Sequence, residues 1–174
     1  MNDKMLADAL CTRINCYSLG AWLAELAHHL DVPLSALLPV PPLPRHEFTV
    51  PRRGLHLVFA HPHAGHVDVG DPERWELTEA KFFFLPGEPG VWRDAAPFAL
   101  DPGTETPASA KQKLSDETSG LSSRAIAQGD RRMSYFLDDA RVVELTFRAG
   151  MVGLERIHIV RLGSAQDYAD VSAT

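Results

Sequence analysis

The most constraining stretch of this chain lies near its C-terminus, where residues 132–163 read RMSYFLDDARVVELTFRAGMVGLERIHIVRLG. Three apolar-alternating runs are separated by two short turns. In the middle run Val143, Leu145 and Phe147 fall on one side, and Glu144, Thr146 and Arg148 on the other. A two-residue period is the mark of a strand with one face buried. Asp138-Asp139 and Ala149-Gly150 supply turn residues that tolerate tight backbone conformations. The segment therefore predicts a three-stranded antiparallel meander with one face in a core.

A second sheet element is expected upstream. From Phe48 the period is also two, with Leu55, Leu57 and Phe59 alternating with His56 and Val58. A turn around HPHAG then leads to a return strand at residues 66–69, making a hairpin. Residues 75–78 form a third strand or short connector, and the apolar run KFFFL at 81–85 is short enough for a buried strand. Before the sheet come helices. Residues 2–13 suit a short one, with Met5 and Ala9, joined by Leu6 and Leu10, on one side. Ser18 is a good N-cap for LGAWLAELAHHL, whose Leu19, Trp22, Leu23, Leu26 and Leu30 recur at three- and four-residue spacings. A turn of helix at 35–38 follows. Thr106 with Pro107 marks the start of a further, mostly solvent-facing helix reaching about Leu114. The expected fold is α+β, an antiparallel sheet packed against one or two helices. Its organisation reads as a helical segment at 1–38, a proline-rich connector at 39–47, an α+β domain at 48–163 and a loosely ordered tail at 164–174.

Charge bears on partners. The chain carries a formal net charge of −6, which disfavours phosphate backbones. Residues 71–120 hold ten acidic and five basic side chains, so a cationic partner is best met there. Asp71, Glu73, Glu76, Glu79, Glu88 and Asp94, with Trp92 as an aromatic anchor, are the candidate contact residues. A weak likeness to a helix-turn-helix at 23–38 fails because Pro39 stops the second helix, which holds no Arg, Lys, Asn or Gln to read bases. No apolar run has the length of a membrane span, and the N-terminus is too polar for a secretory signal. Cys11 and Cys16 lack metal or redox spacing and read as reduced thiols. These features together predict a cytoplasmic protein, monomeric or homodimeric, without cofactor.

One constellation carries possible chemistry. His61, His63 and His66 in HPHAGH, with Asp68 close behind, offer imidazoles at i, i+2 and i+5 that suit Zn²⁺ or Ni²⁺. Pro62 and the turn splay them, and no glutamate stands at the spacing of a base for metal-bound water. The plainer reading is a polar loop titrating near neutrality. His158, between Ile157 and Ile159, faces away from both. The arginines at 131, 132, 141, 148, 156 and 161, interleaved with Asp130, Glu144 and Glu155, read as a mixed cross-strand charge face. Nucleophile elbows, P-loops and dinucleotide-binding glycine patterns are missing from the sequence.

The order of strand motifs resembles a family. GLHLVF at 54–59, PFAL at 97–100 leading to a short helix, then YF at 135–136, VELTF at 143–147 and GLERIHI at 153–159 resemble the small cytoplasmic immunity proteins that accompany bacteriocins and contact-dependent or secreted bacterial toxins. That resemblance implies a non-enzymatic α+β protein that binds and neutralises one cognate toxin, a basic one given the acidic patch. The alternative is a metal-dependent or small-molecule-binding enzyme using the His61, His63 and His66 loop.

Overall fold

The fold is α+β, as the computed structural model of the chain shows; it describes residues 3–14, 20–38, 45–50, 52–60, 75–86, 90–117, 125–127, 131–137 and 140–162. Three helices open the chain: α1 (Asp3–Arg13), α2 (Gly20–Leu30) and the single turn α3 (Leu34–Leu37). Strands β1 (Arg45–Val50), β2 (Leu55–Ala60) and β3 (Glu76–Phe83) follow. A 3-10 turn, Pro97–Ala99, precedes α4 (Pro107–Glu117), after which come β4 (Ala125–Ala127), β5 (Arg132–Phe136), β6 (Arg141–Phe147) and β7 (Leu154–Arg161). All described strands join one antiparallel sheet in the order β1-β2-β3-β7-β6-β5-β4.

The meander stands as β5, β6 and β7, with Val143, Leu145 and Phe147 fully buried. The upstream hairpin differs from expectation. Its two arms are β1 and β2, paired from Arg45↔Ala60 to Val50↔Leu55, so the first strand begins three residues before Phe48, inside the expected connector. The return strand proposed at 66–69 lies outside the described residues. Likewise the fragments at 75–78 and 81–85 are pieces of one strand, β3. The register between β2 and β3 slips at Val58/Phe59, a bulge that inserts Thr78 and breaks the alternation in the sequence. Thr78 uses its hydroxyl to donate to the Val58 carbonyl at 3.1 Å.

β3 and β7, paired from Glu79↔Val160 to Phe83↔Arg156, form the seam that joins the β1–β3 half of the sheet to the β7–β4 half. One face of this sheet is the core face. Leu55, Leu57, Phe59, Leu77, Ala80, Phe82, Val143, Leu145, Ile157 and Ile159 form a continuous cluster with helical side chains. α2 contributes Trp22, Leu23, Leu26, Ala27 and Leu30. α1 contributes Leu6, Ala7, Leu10 and Cys11, a stripe rotated from the one read off the sequence, since Ala9 is only half-buried. The N-terminal helices thus share the sheet's core. Further ties are Arg13, whose guanidinium sits 5.9 Å from the Trp22 ring, and Arg141, which donates to the Cys11 carbonyl at 2.9 Å.

α4 begins as its sequence predicts. Thr106 Oγ1 accepts from the Ser109 amide at 3.2 Å, and Ser109 Oγ accepts from the Thr106 amide at 3.0 Å. This reciprocal pair satisfies donors that helix ends leave orphaned. Ala110 and Leu114 are buried while Ala108 is exposed. Glu105, itself buried, accepts from the Asp101 amide at 2.7 Å, from Lys113 Nζ at 2.8 Å and from the Ser109 hydroxyl. Its carbonyl receives the Gly153 amide at 2.7 Å, which fixes α4 against the β6–β7 turn. Thr106→Ala is expected to lower unfolding free energy by about 1 kcal/mol, read as a shift in urea midpoint at unchanged slope.

Candidate functional site

The sheet alternates, so the side chains between the core positions project from the opposite face. None of the described helices contributes to the hydrophobic cluster from that side. Across it, in strand order, stand Arg45, Glu47 and Thr49 (β1), His56 and the fully buried Val58 (β2), Glu79, Lys81 and Phe83 (β3), Arg156, His158 and Val160 (β7), the fully buried Val142 with Glu144 and Thr146 (β6), and Arg132 and the buried Ser134 (β5). Most of the charged groups hold one another, while Ser134 Oγ is buried without a hydrogen-bond partner among the described residues. Arg45 lies 3.1 Å from Glu47 and 3.0 Å from Glu79, and Lys81 lies 3.1 Å from Glu79. Thr49 Oγ1 and His56 Nδ1 are 2.9 Å apart. Arg156 donates to Thr146 Oγ1 at 3.4 Å.

The centre of this face is His158. Its Nε2 is 3.0 Å from Glu79 Oε2 and its Nδ1 is 3.1 Å from Glu144 Oε2. One ring therefore links β3, β7 and β6. Both nitrogens face carboxylate oxygens, which only accept, so the geometry requires an imidazolium donating on both sides. Burial by itself disfavours that charge; the bonds to Glu144 and Glu79 more than offset it and hold the pKa above 6.5. In return the bond from His158, against some opposition from burial and with help from Lys81, pulls Glu79 down to about 2. Glu144 is lowered chiefly by its bond to His158. His56 moves the other way: burial and then the Lys81 charge lower its pKa.

A stability profile follows. Glu79 and Glu144 have depressed folded values, so their contribution is whole above about 4.5 and drains away as pH falls toward 2. His158 has a raised value, so its contribution is whole below 6.5 and is lost as pH climbs through its folded value. The unfolding midpoint is expected to be highest between about 4.5 and 6.5, and Glu79→Gln should flatten the acid limb in thermal scans.

The residues proposed from the sequence fall differently. Glu76 is buried at 1% exposure and meets Arg161. Trp92 is buried at 3%, with its indole N–H donating to the Ala95 carbonyl at 3.2 Å. Neither presents a contact surface. Glu79 lies on the charged face, and Asp94 is half-exposed. Asp71, Glu73 and Glu88 lie outside the described residues, as do His61, His63 and His66. Among the described residues, no group of three or more His, Cys, Asp or Glu is placed to hold a metal ion. Cys11 is buried, which pushes its thiol pKa well up, so it is no nucleophile. Sequence reading missed the Glu79–His158–Glu144 bridge because its partners lie 79 and 14 residues from the histidine. The one signal it gave was a histidine on a strand face rich in interleaved charges.

The chain matches no family model, curated protein or solved structure. No described helix is long and apolar enough to cross a membrane.

Proposed function

We propose that the chain is a non-enzymatic protein-binding module, an immunity protein that holds one cognate bacterial toxin inactive. The observation that carries the reading is the charged sheet face opposite the helices. Its charges are fixed by one another before any partner arrives, so docking there orders little that is not already ordered. A surface patterned this way selects partners by charge complementarity and registers them. Glu47 and Arg45, each with a side chain about half exposed, are its accessible ends. The net charge of −6 favours encounter with a basic toxin, and steers it from a distance at low salt. Glu47, Glu79 and Glu144 are the acidic contacts assigned to the partner, with Arg45 and Arg132 setting its register.

The test is affinity purification of the tagged chain from its source cells, beside the double variant Glu47→Lys, Glu144→Lys. The expected result is one stoichiometric basic partner on the wild-type chain, weakened by salt, lost from the variant, and toxic once separated. A chain that elutes with bound metal and no protein would overturn the proposal in favour of chemistry at His61, His63 and His66. A partner retained equally by the double variant would remove the charged face from it.

A further inference from the structure

We infer that the Glu79–His158–Glu144 bridge is a pH-operated latch across the seam of the sheet, closed while the imidazole carries both ring protons and released when it has lost one. The seam is the β3–β7 ladder, the place where the two halves of the sheet meet. His158 is a β7 residue, and Glu79 stands diagonally across on β3, two positions from its direct partner Lys81. Their contact is therefore a side-chain tie laid over the backbone ladder. Glu144 is the direct neighbour of His158 on β6, within the meander.

The two carboxylates are not equivalent. Glu79 has other cations: Lys81 Nζ at 3.1 Å from the oxygen that meets the imidazole, and Arg45 at 3.0 Å from its second oxygen. For Glu144, His158 is the one hydrogen-bond donor found among the described residues, and Arg156 and Arg132 act on it only as nearby charges. When the imidazolium gives a proton to solvent, a single N–H remains. It is worth most where the acceptor has no substitute, so it stays on Nδ1 facing Glu144. Nε2 then turns a lone pair toward Glu79 Oε2, acceptor against acceptor, and Glu79 retires to Lys81 and Arg45. The tie that breaks is the one across the seam, and the tie inside the meander persists.

The surrounding charges fit this assignment. From β1 come Arg45 and Glu47, from β2 His56, from β3 Lys81, from β7 Arg156 and from β5 Arg132. His56 has its pKa lowered, by burial first and then by Lys81, so it gives up its proton on the acid side of the His158 transition and does not mask it. Loss of the His158 proton takes the three bridged groups from a net of −1 to −2, which adds carboxylate repulsion at the same place.

Two measurements on the whole chain test the latch. Nitrogen-15 NMR of the labelled histidines should show His158 protonated on both nitrogens at pH 6 and on Nδ1 alone at high pH. Amide exchange, corrected at each pH for its intrinsic rate, should show protection of the amides bonded across the β3–β7 ladder falling on the order of tenfold through that transition, while amides bonded between β6 and β7 keep theirs. In Glu79→Gln the side-chain amide can donate to the bare Nε2, so His158 should titrate lower and seam protection should become independent of pH. An Nε2–H tautomer at high pH, or seam protection unmoved through the His158 titration, would overturn the inference. So would a Glu79→Gln variant with the wild-type pH dependence. Should that variant not fold, the wild-type tautomer decides.

Discussion

Phe82→Ala is expected to cost the fold about 3–5 kcal/mol. Phe82 is fully buried at the middle of the sheet, facing Leu55 on β2 and Ile157 on β7. It also meets Trp92 edge to face, with centroids 5.0 Å apart and planes at 79°, a geometry that adds to plain area burial. Truncation removes the ring from all three neighbours at once, and a rigid seven-stranded sheet closes little of the gap. Phe83 is the natural control, since it is the next residue, of the same type, and only half-buried. Urea unfolding should place Phe82→Ala far below Phe83→Ala in midpoint. Equal losses would mean that the face of β3 has been assigned the wrong way round.

Gly54→Ala is expected to cost about 3 kcal/mol or more, although it adds only a methyl group. Gly54 sits at φ +65°, and a Cβ built there would lie 2.3 Å from the Trp92 amide nitrogen and 2.6 Å from the Val91 carbonyl carbon. The left-handed conformation accounts for about 1–2 kcal/mol of the loss. The clash accounts for the rest, because the atoms met are backbone. They are also held: Phe83 donates to the Gly54 carbonyl at 2.8 Å, and Trp92 donates to the Phe83 carbonyl at 2.7 Å. Alanine at 54 must part the β1–β2 turn from the segment carrying Trp92. Differential scanning of Gly54→Ala beside Gly150→Ala separates the two causes. Gly150 shares a positive φ of 86° but has nothing within 4 Å of its Cβ position, so it should lose only the conformational part.

Legibility in the sequence followed how local the cause was. The meander could be read because Val143, Leu145 and Phe147 answer to one buried face and their turns lie close by. The start of α4 could be read because Thr106, Pro107 and Ser109 settle it among themselves. β3 was split in two because the bulge at Thr78 shifts its phase, and because its charged face interrupts the apolar run with Glu79 and Lys81. The hairpin was displaced for a related reason: β1 alternates exposed and half-buried side chains, so its apolar signal is faint at Arg45 and His46. Proximity along the chain makes the acidic stretch look like one surface. Glu76 instead turns inward to Arg161, which lies 85 residues away. His158 illustrates the same limit, since the strand order that brings it to Glu79 has no local sequence signature.

The seam between β3 and β7 also bears on how the chain is made. About seventy residues separate the end of β3 from the start of β7, and ribosomes add roughly 5–20 residues per second. The hairpin β1–β2 and its neighbour β3 therefore emerge several seconds before the strand that completes them. Throughout that interval Phe82 and Ala80 lack Ile157 and Ile159, and an uncapped strand edge is offered to other nascent chains. Pairing so distant in sequence slows folding, and the β3–β7 ladder cannot form before β7 has been made. The newborn chain is thus most vulnerable to aggregation at the place where the finished protein is most deeply buried.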